Sequence, residues 1–337
     1  MLQYQVIKKQ DADPELLQFW RTCVGAIDPS GSPLLSPEYC DQLDAVCNDV
    51  EIGVVKNNHT HVGLLPFHRR KNFIGRPLAD HVTDAHAFLT LENNFDAADW
   101  IGEFKLARFD FDHLLGPIDA RFVFEIDPCY RIDLSRGFED YLFEAGNRSK
   151  LIRQAERKQR GLIRDFGSTR FEWRTDPEET LGLLVDWKTD DLQRKGFQVP
   201  FTDWVCRLME NLAASDAIQC HGLLSGLYAG NEVAALHFGI ASPTCLVSWM
   251  PCVNPKFDKY SPGSILYLEL AKTAAQLGIQ TIDLGRGENQ TKVRLANDCT
   301  SMAIGSVCTS SFKLRALRGL FAGKRMLRSL KRSFFPR

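Results

Sequence analysis

The stretch that most limits how this chain can fold covers residues 258–284. Ser261 has a side-chain oxygen able to cap a helix, and Pro262 suits the first helical position, where no backbone N–H is needed. Gly263 lets another backbone or a ligand come close. Residues 265–277 are strong helix formers, with leucines at 266, 268, 270 and 277. Gly278 then stops the helix, and residues 279–284 alternate as a strand does. The unit is therefore loop, capped helix, glycine stop and strand. A helix N-terminus left open in this way can hold an anion, because its free N–H groups carry partial positive charge. An ordinary cap with no ligand uses the same residues, so the flanking segments decide.

Upstream, residues 220–228, 232–240 and 244–250 read as three strands, the first two joined by the turn Ala229-Gly230-Asn231. Helices are predicted over 177–195 and 202–214, a short strand over 171–174, and a long helical region over 138–164. Its second part holds Arg148, Lys150, Arg153, Arg157, Lys158, Arg160 and Arg164 against one acid, Glu156. A solvated basic face and a basic wall beside a phosphate-bearing substrate both fit that pattern. Downstream come a flexible corner at 285–287, a helix over 289–296 and a strand over 303–309. Earlier, helices are expected over 14–28, 36–47 and 95–104, with Ser36 as a cap. Strands are expected over 51–56, 62–67, 88–91, 109–115, 122–126 and 131–134. Asn57-Asn58-His59 reads as a hairpin turn, and 69–87 as irregular. Alternating strands and helices over 337 residues indicate an α/β or α+β protein of two domains.

The order of the second half matches the GNAT acetyltransferase fold, and the residues carry the likeness further. YSPGSILYLELAKTAAQLGIQTIDLGRGENQTK, preceded by LHFG and SWMPCVNPKFDKYSPG, resembles the acetyltransferase-like family named after the cellulose-biosynthesis protein CelD. NRSKLIRQAERKQRG, SPLLSPEYCDQL and VGLLPFHRRKNFIGRPLAD extend the similarity to residues 14–309, strongest over 220–295. That family is related to the Fem-type peptidyltransferases, which have two such domains in tandem. The resemblance implies tandem GNAT-like domains, each a mixed central sheet flanked by helices. A degenerate domain would cover 1–135 and an acyltransferase domain 136–310, the latter carrying the acyl-donor site.

The resemblance also implies a chemistry. Acetyl-CoA or another acyl-CoA would lie in a splay between the strands at 244–250 and 279–284. Backbone N–H groups near Trp249 and Met250 would polarise the thioester, and Ser261, Pro262, Gly263 and Ser264 would receive the pyrophosphate. The common loop Gln/Arg-x-x-Gly-x-Gly/Ala survives here only as Gly263 and Ser264, so aminoacyl-tRNA, the donor of the Fem relatives, stays open as an alternative. The acceptor implied is a small molecule or polymer precursor: a sugar nucleotide, a lipid-linked sugar or another envelope or exopolysaccharide precursor. A fold without catalysis, acting as scaffold of a polysaccharide synthase, is the other alternative. From the residues themselves, His237 suits base work near neutral pH or a satisfied place in the core. Tyr260 could protonate the departing thiolate or simply pack. Asp283 could be an acid or base, or bind backbone N–H groups of the glycine corner. Lys292 lies where Fem-type relatives have a functional lysine; a surface lysine is the alternative.

Composition narrows the rest. A net charge of −1 gives no argument for nucleic acid, and no DNA partner is expected. The charge is uneven, however: residues 299–337 hold nine Lys or Arg and no acid. Phe312, Leu314, Leu317, Leu320, Phe321, Leu327, Leu330 and Phe334 recur there at roughly helical spacing. This tail, 311–337, reads as an amphipathic helix for an anionic membrane surface or for packing on protein. Ten cysteines without Cys-x-x-Cys read as free thiols of a reducing compartment. With no signal-like segment and no apolar stretch of about 18 residues, a cytoplasmic place is expected, peripheral at the inner membrane face if the tail binds lipid. Asp80, His81, Asp84 and His86 fit no standard zinc spacing, and no metal is expected.

Overall fold

The computed structural model describes residues 1–143 and 148–334, without the side chains of His81, Lys324 and residues 148–150 and 326–334. Along the chain the first elements are β1 (Leu2–Lys8), α1 (Pro14–Ile27), α2 (Pro37–Cys47), β2 (Val50–Asn57), β3 (Thr60–Arg70), β4 (Ile74–Arg76), β5 (His86–Ala87) and β6 (Leu89–Thr90). There follow α3 (Ala97–Glu103), β7 (Arg108–Leu115), β8 (Val123–Asp133), α4 (Phe138–Phe143), α5 (Arg148–Phe166), β9 (Thr169–Glu172), α6 (Pro177–Arg194) and α7 (Asp203–Ala214). The last are β10 (His221–Ala229), β11 (Glu232–Ala241), β12 (Cys245–Val253), α8 (Pro262–Gln276), β13 (Thr281–Arg286), α9 (Gln290–Leu295), β14 (Asp298–Cys308) and α10 (Ser311–Phe334). The element order expected for the second half is thus observed. Three details differ. The strands expected at 122–126 and 131–134 are one continuous strand, β8; the polar amino-terminal residues form β1, which alternation alone does not mark; and 69–87, expected to be irregular, holds the end of β3, β4 and β5, strands too short to show a period.

The chain divides into two compact units, and neither is continuous in sequence. The first comprises residues 1–27, 48–127 and 301–337. Its sheet runs β1-β2-β3-β4-β7-β14, with β5 beside β7 and β6 beside β3. The β2–β3 hairpin turns at Asn58, which takes the left-handed conformation that asparagine tolerates (φ 55°). Phe67, Phe88, Trp100, Phe104, Phe109 and Phe122 fill its core. Glycine is required at 63, since a Cβ there would lie 2.0 Å from the Trp100 ring. On α10, Leu314, Leu317 and Phe321 are half-buried, and Phe321 packs 5.7 Å from Phe124, whereas Phe312 and Leu320 are exposed. The tail's Leu327, Leu330 and Phe334 fall outside the described side chains.

The second unit comprises residues 28–47 and 128–300. Its sheet order is β8-β13-β12-β11-β10-β9, and among its described residues the β12–β13 pair alone is parallel. Successive residues of β10 face opposite sides. Leu223 and Leu227 join the core made with α5 and α8. Gly222, on the other side, sits where a Cβ would be 2.8 Å from the α7 backbone. The helices therefore cover both faces. Asp176 caps α6 through the Glu178 N–H at 2.9 Å, with Pro177 at the first position. Leu151, Ala155 and Leu162 bury one stripe of α5, while Arg153, Arg157, Arg160 and Arg164 stay exposed.

Candidate functional site

The β12–β13 ladder is short. Cys245 pairs with Thr281, Leu246 with Ile282 and Val247 with Asp283, after which the strands part. On its other edge β12 carries a bulge: Phe238 pairs with Met250 and Gly239 with Ser248, so the register steps over Trp249. Such a bulge bends its strand and re-aims the local backbone. Trp249 is half-buried with its ring 6.0 Å from that of Phe238, and Met250 is buried. The result is a wedge between two central strands, with the bulge on one wall.

Between these strands the chain passes through a short 3₁₀ turn, 255–260, capped by Asn254, whose Oδ1 accepts from the Lys256 N–H at 3.0 Å. Ser261 does not cap α8 as expected. It adopts φ 51°, ψ 54°, and its side chain makes no capping bond. A left-handed residue cannot place its hydroxyl over the following amides as an extended one does. The Ser264 N–H is taken instead by the Ser261 carbonyl at 3.0 Å. Pro262 does occupy the first helical position. An ideal Cβ at Gly263 would lie 3.3 Å from Val253 Cγ1, so the helix start presses close to the end of β12. A non-glycine residue in the left-handed region costs about 1–3 kcal/mol, which the surrounding structure must offset.

A cationic edge borders this helix start. Lys158 of α5 donates to the Lys259 carbonyl. The Lys259 ammonium lies 4.7 Å over the Tyr260 ring and 4.0 Å from Asp165. The Tyr260 hydroxyl donates to Asp165, and the ring packs edge-on against Phe166. Arg164 first, then Tyr260, hold the Asp165 carboxyl down to about 2. The Tyr260 proton is thus directed at a carboxylate.

The remaining predicted residues occupy defined places. His237 is fully buried; its Nε2 is 3.0 Å from Ser248 Oγ, which in turn is 2.7 Å from the Tyr267 hydroxyl of α8. Burial pushes its pKa down to about 3, so the imidazole is neutral. His237, Ser248 and Tyr267 form a buried chain tying β11, the strand just before the bulge, and α8 together. Asp283 is buried as well. Its Oδ1 accepts from the Gly285 N–H (2.7 Å) and the Cys129 thiol (3.2 Å), and its Oδ2 is 3.6 Å from Arg131 Nε. Desolvation raises its pKa, and the nearby Arg131 opposes that. This is the backbone-binding role foreseen for the glycine corner. Lys292 sends its ammonium to the Arg286 carbonyl of β13 at 2.8 Å.

Two features escape a reading of the sequence. Ser248 and Tyr267 are far apart in sequence and unremarkable in pattern. Lys188, amid other charged residues on α6, reaches the Pro251 carbonyl of β12 at 3.0 Å. Asp84 lies 3.5 Å from His113, and His86 accepts from the His113 backbone. The 80–86 segment forms no metal-type cluster among the described residues.

Residues 148–293 match the family model for an acetyltransferase (GNAT) domain, a span that includes the wedge, the bulge and α8. The match spans less than half of the chain and supports an acyltransferase. No curated protein matches the chain. Among solved structures, FemX superposes with a TM-score of 0.57 at 11% identity, over 90% of this chain and 96% of that one. The C-terminal domain of a putative lysylphosphatidylglycerol synthetase from Agrobacterium fabrum gives 0.53 at 12% identity, over 89% and 94%. A conserved protein of unknown function from Bacteroides thetaiotaomicron gives 0.53 at 13%, over 90% and 100%. At such identities the likeness is one of fold, and it extends over nearly the whole chain.

Proposed function

We propose that this protein transfers an acyl group from an acyl-coenzyme A, acetyl-CoA or a longer homologue, to a nitrogen or oxygen of an envelope or exopolysaccharide precursor. The observation that carries the reading is the wedge between β12 and β13, with a bulge at Trp249 on one wall and the α8 start beside it. A pyrophosphate-bearing donor fits that place: the helix start is narrow at Gly263, and Lys158 and Lys259 border it. Because the Ser264 N–H already serves Ser261, the reading relies on Gly263 rather than on both amides. When bound, the donor supplies the thioester whose carbonyl carbon is attacked.

The chain's own part is to hold and polarise. The bulged backbone at Trp249 offers N–H dipoles fixed before the reaction, where they cost no reorganisation. Trp249, Met250 and Phe238 exclude water from that wall. His237 braces the wedge from behind through Ser248 and Tyr267, and burial keeps its imidazole neutral near pH 7. The acceptor class follows from the likeness of residues 220–295 to the CelD-named family. The basic tail, with Phe312 and Leu320 exposed, supports a place at an anionic membrane surface.

One observation favours a second donor, an aminoacyl-tRNA: the loop retains a single glycine of the common acyl-CoA pattern. Isothermal titration with acetyl-CoA, a long-chain acyl-CoA and free coenzyme A separates the two. Absence of binding at millimolar concentration overturns the coenzyme A reading, and activity that depends on charged tRNA establishes the other. Gly263→Glu is expected to abolish coenzyme A binding, since its side chain meets Val253 and brings a negative charge to the pyrophosphate. Unchanged affinity places the donor elsewhere.

A further inference from the structure

Two residues beyond the bulged Trp249 stands Pro251, and the phase of the β11–β12 ladder fixes where its carbonyl points. The Asn254 N–H donates to the Ala234 carbonyl at 3.0 Å. Ala234 and Asn254 are therefore a hydrogen-bonded pair, and two residues along so are Leu236 and Cys252. His237 and Pro251, next in register, form a non-hydrogen-bonded pair, and the peptide groups of Pro251 face away from β11. That suits a residue with no N–H to offer, and the side it faces is the one β13 has left. There Lys188 of α6, half-buried, donates its ammonium to the Pro251 carbonyl. Across the wedge, Lys292 of α9 does the same for Arg286 of β13. Each parting strand thus has a carbonyl held by a lysine.

We propose that Lys188 is a positioning residue of the acyl-transfer site: its ammonium stands in for the missing neighbour strand at Pro251 and fixes the segment 249–251 in its bulged, splayed course. The kinetic part of this inference rests on the acyl-transfer reading; the part concerning the strand does not. The bond is charge-assisted and strong only while the lysine is protonated. Four groups act on that proton: Cys252 on β12, Asp191 and Lys195 on α6, and Lys292 on α9. Desolvation dominates and lowers the Lys188 pKa. Asp191 favours the charged form, Lys195 and Lys292 disfavour it, and the Cys252 thiol, pushed up to about 12, stays neutral near pH 7. The hold on Pro251 is therefore released at a lower pH than an ordinary lysine would allow.

The test compares wild type, Lys188→Arg and Lys188→Met in two measurements. Amide hydrogen exchange of the peptide covering 249–254 is followed first, with β2 of the other unit as an internal control for folding. Acyl-transfer rates are then measured from about pH 6 to about pH 10, a range that brackets the titration of a lysine with a lowered pKa. Lys188→Met is expected to speed exchange of 249–254 about tenfold. It should also lower kcat about tenfold, with KM for the donor little changed, and to remove the alkaline fall in rate. Lys188→Arg is expected to restore slow exchange and move the alkaline fall to higher pH, because guanidinium keeps its proton. Wild-type exchange and turnover in Lys188→Met overturn the proposal, as does an alkaline fall that stays in place in Lys188→Arg. If no variant transfers an acyl group while exchange divides as expected, the acyl-transfer reading fails and the hold of Lys188 on β12 stands.

Discussion

Replacing His237 with glutamine removes one titrating group from the middle of the sheet and leaves an amide near the position of Nε2, facing Ser248. In the native protein burial holds this imidazole's pKa at about 3, against 6.5 for the free side chain. Between those values the unfolded chain binds a proton that the native protein does not, so stability falls as the pH is lowered. The stability is fully present above about pH 6.5 and is lost progressively down to about pH 3. At about 1.4 kcal/mol per pH unit the whole effect is about 5 kcal/mol, of which roughly 3 falls between about pH 6.5 and about pH 4.5. His237→Gln lacks this dependence. Near neutral pH the variant is expected to be about 1–3 kcal/mol less stable, because the amide replaces the Ser248 bond imperfectly. As the pH falls to about 4.5 that deficit closes by roughly 3 kcal/mol, and titrations common to both proteins cancel in the difference. Urea unfolding of both proteins at fixed ionic strength over this range measures it. A deficit independent of pH refutes the reasoning, as does an imidazole proton resonance of His237 that titrates near pH 6.5.

Three further outcomes follow from the same structure. Asp283→Asn removes one of the two carboxylates on the buried Arg131, whose other partner, Asp28 at 3.4 Å, remains, and is expected to cost about 1–3 kcal/mol of stability, read by chemical denaturation; a loss under about 0.5 kcal/mol contradicts a structural role for Asp283. Tyr260→Phe removes one of the bonds that hold the Asp165 carboxyl near 2, and its pKa by NMR should rise while Arg164 keeps it below the ordinary range. The sign is that of a depressed acid: the stabilisation exists above its unfolded pKa of about 3.9 and is lost as the pH falls toward 2. Deletion of residues 311–337 should abolish co-sedimentation with anionic vesicles, and equal pelleting without them refutes a membrane role for the tail. Loss of the Phe321–Phe124 contact in the same deletion should lower stability by about 1 kcal/mol.

Much of the second unit was legible because its signals are local. Asp176-Pro177 starts α6, Gly230-Asn231 turns one hairpin, and Gly278 ends α8 where sequence places each of them. Ser261 was misread because serine before proline at a helix start signals an extended cap, and only the tertiary path from β12 makes it left-handed. The role of His237 could not be read from alternation, which assigns a face but not whether that face meets solvent. Lys188 was invisible for another reason: its meaning depends on which way a carbonyl points on a strand over 60 residues away, and that is a property of the ladder's phase rather than of any motif.

The discontinuity of the second unit has a practical consequence for anyone cutting the chain. A fragment bounded at 148 and 293 keeps the wedge but discards β8, so β13 becomes an open edge at Ile282 and Asp283. It also discards residues 28–47, whose Gly31 and Ser30 carbonyls accept the hydroxyls of Ser242 and Thr244 just ahead of β12, and it cuts α9 before Leu295, losing both partners of the Tyr141–Leu295 bond. Such a fragment is expected to aggregate through its bared strand. Supplying residues 28–47 on a linker and running from 128 to 300 keeps β8 beside β13 and the Ser30 and Gly31 bonds, which makes that rejoined chain a better piece to express than the family-sized segment.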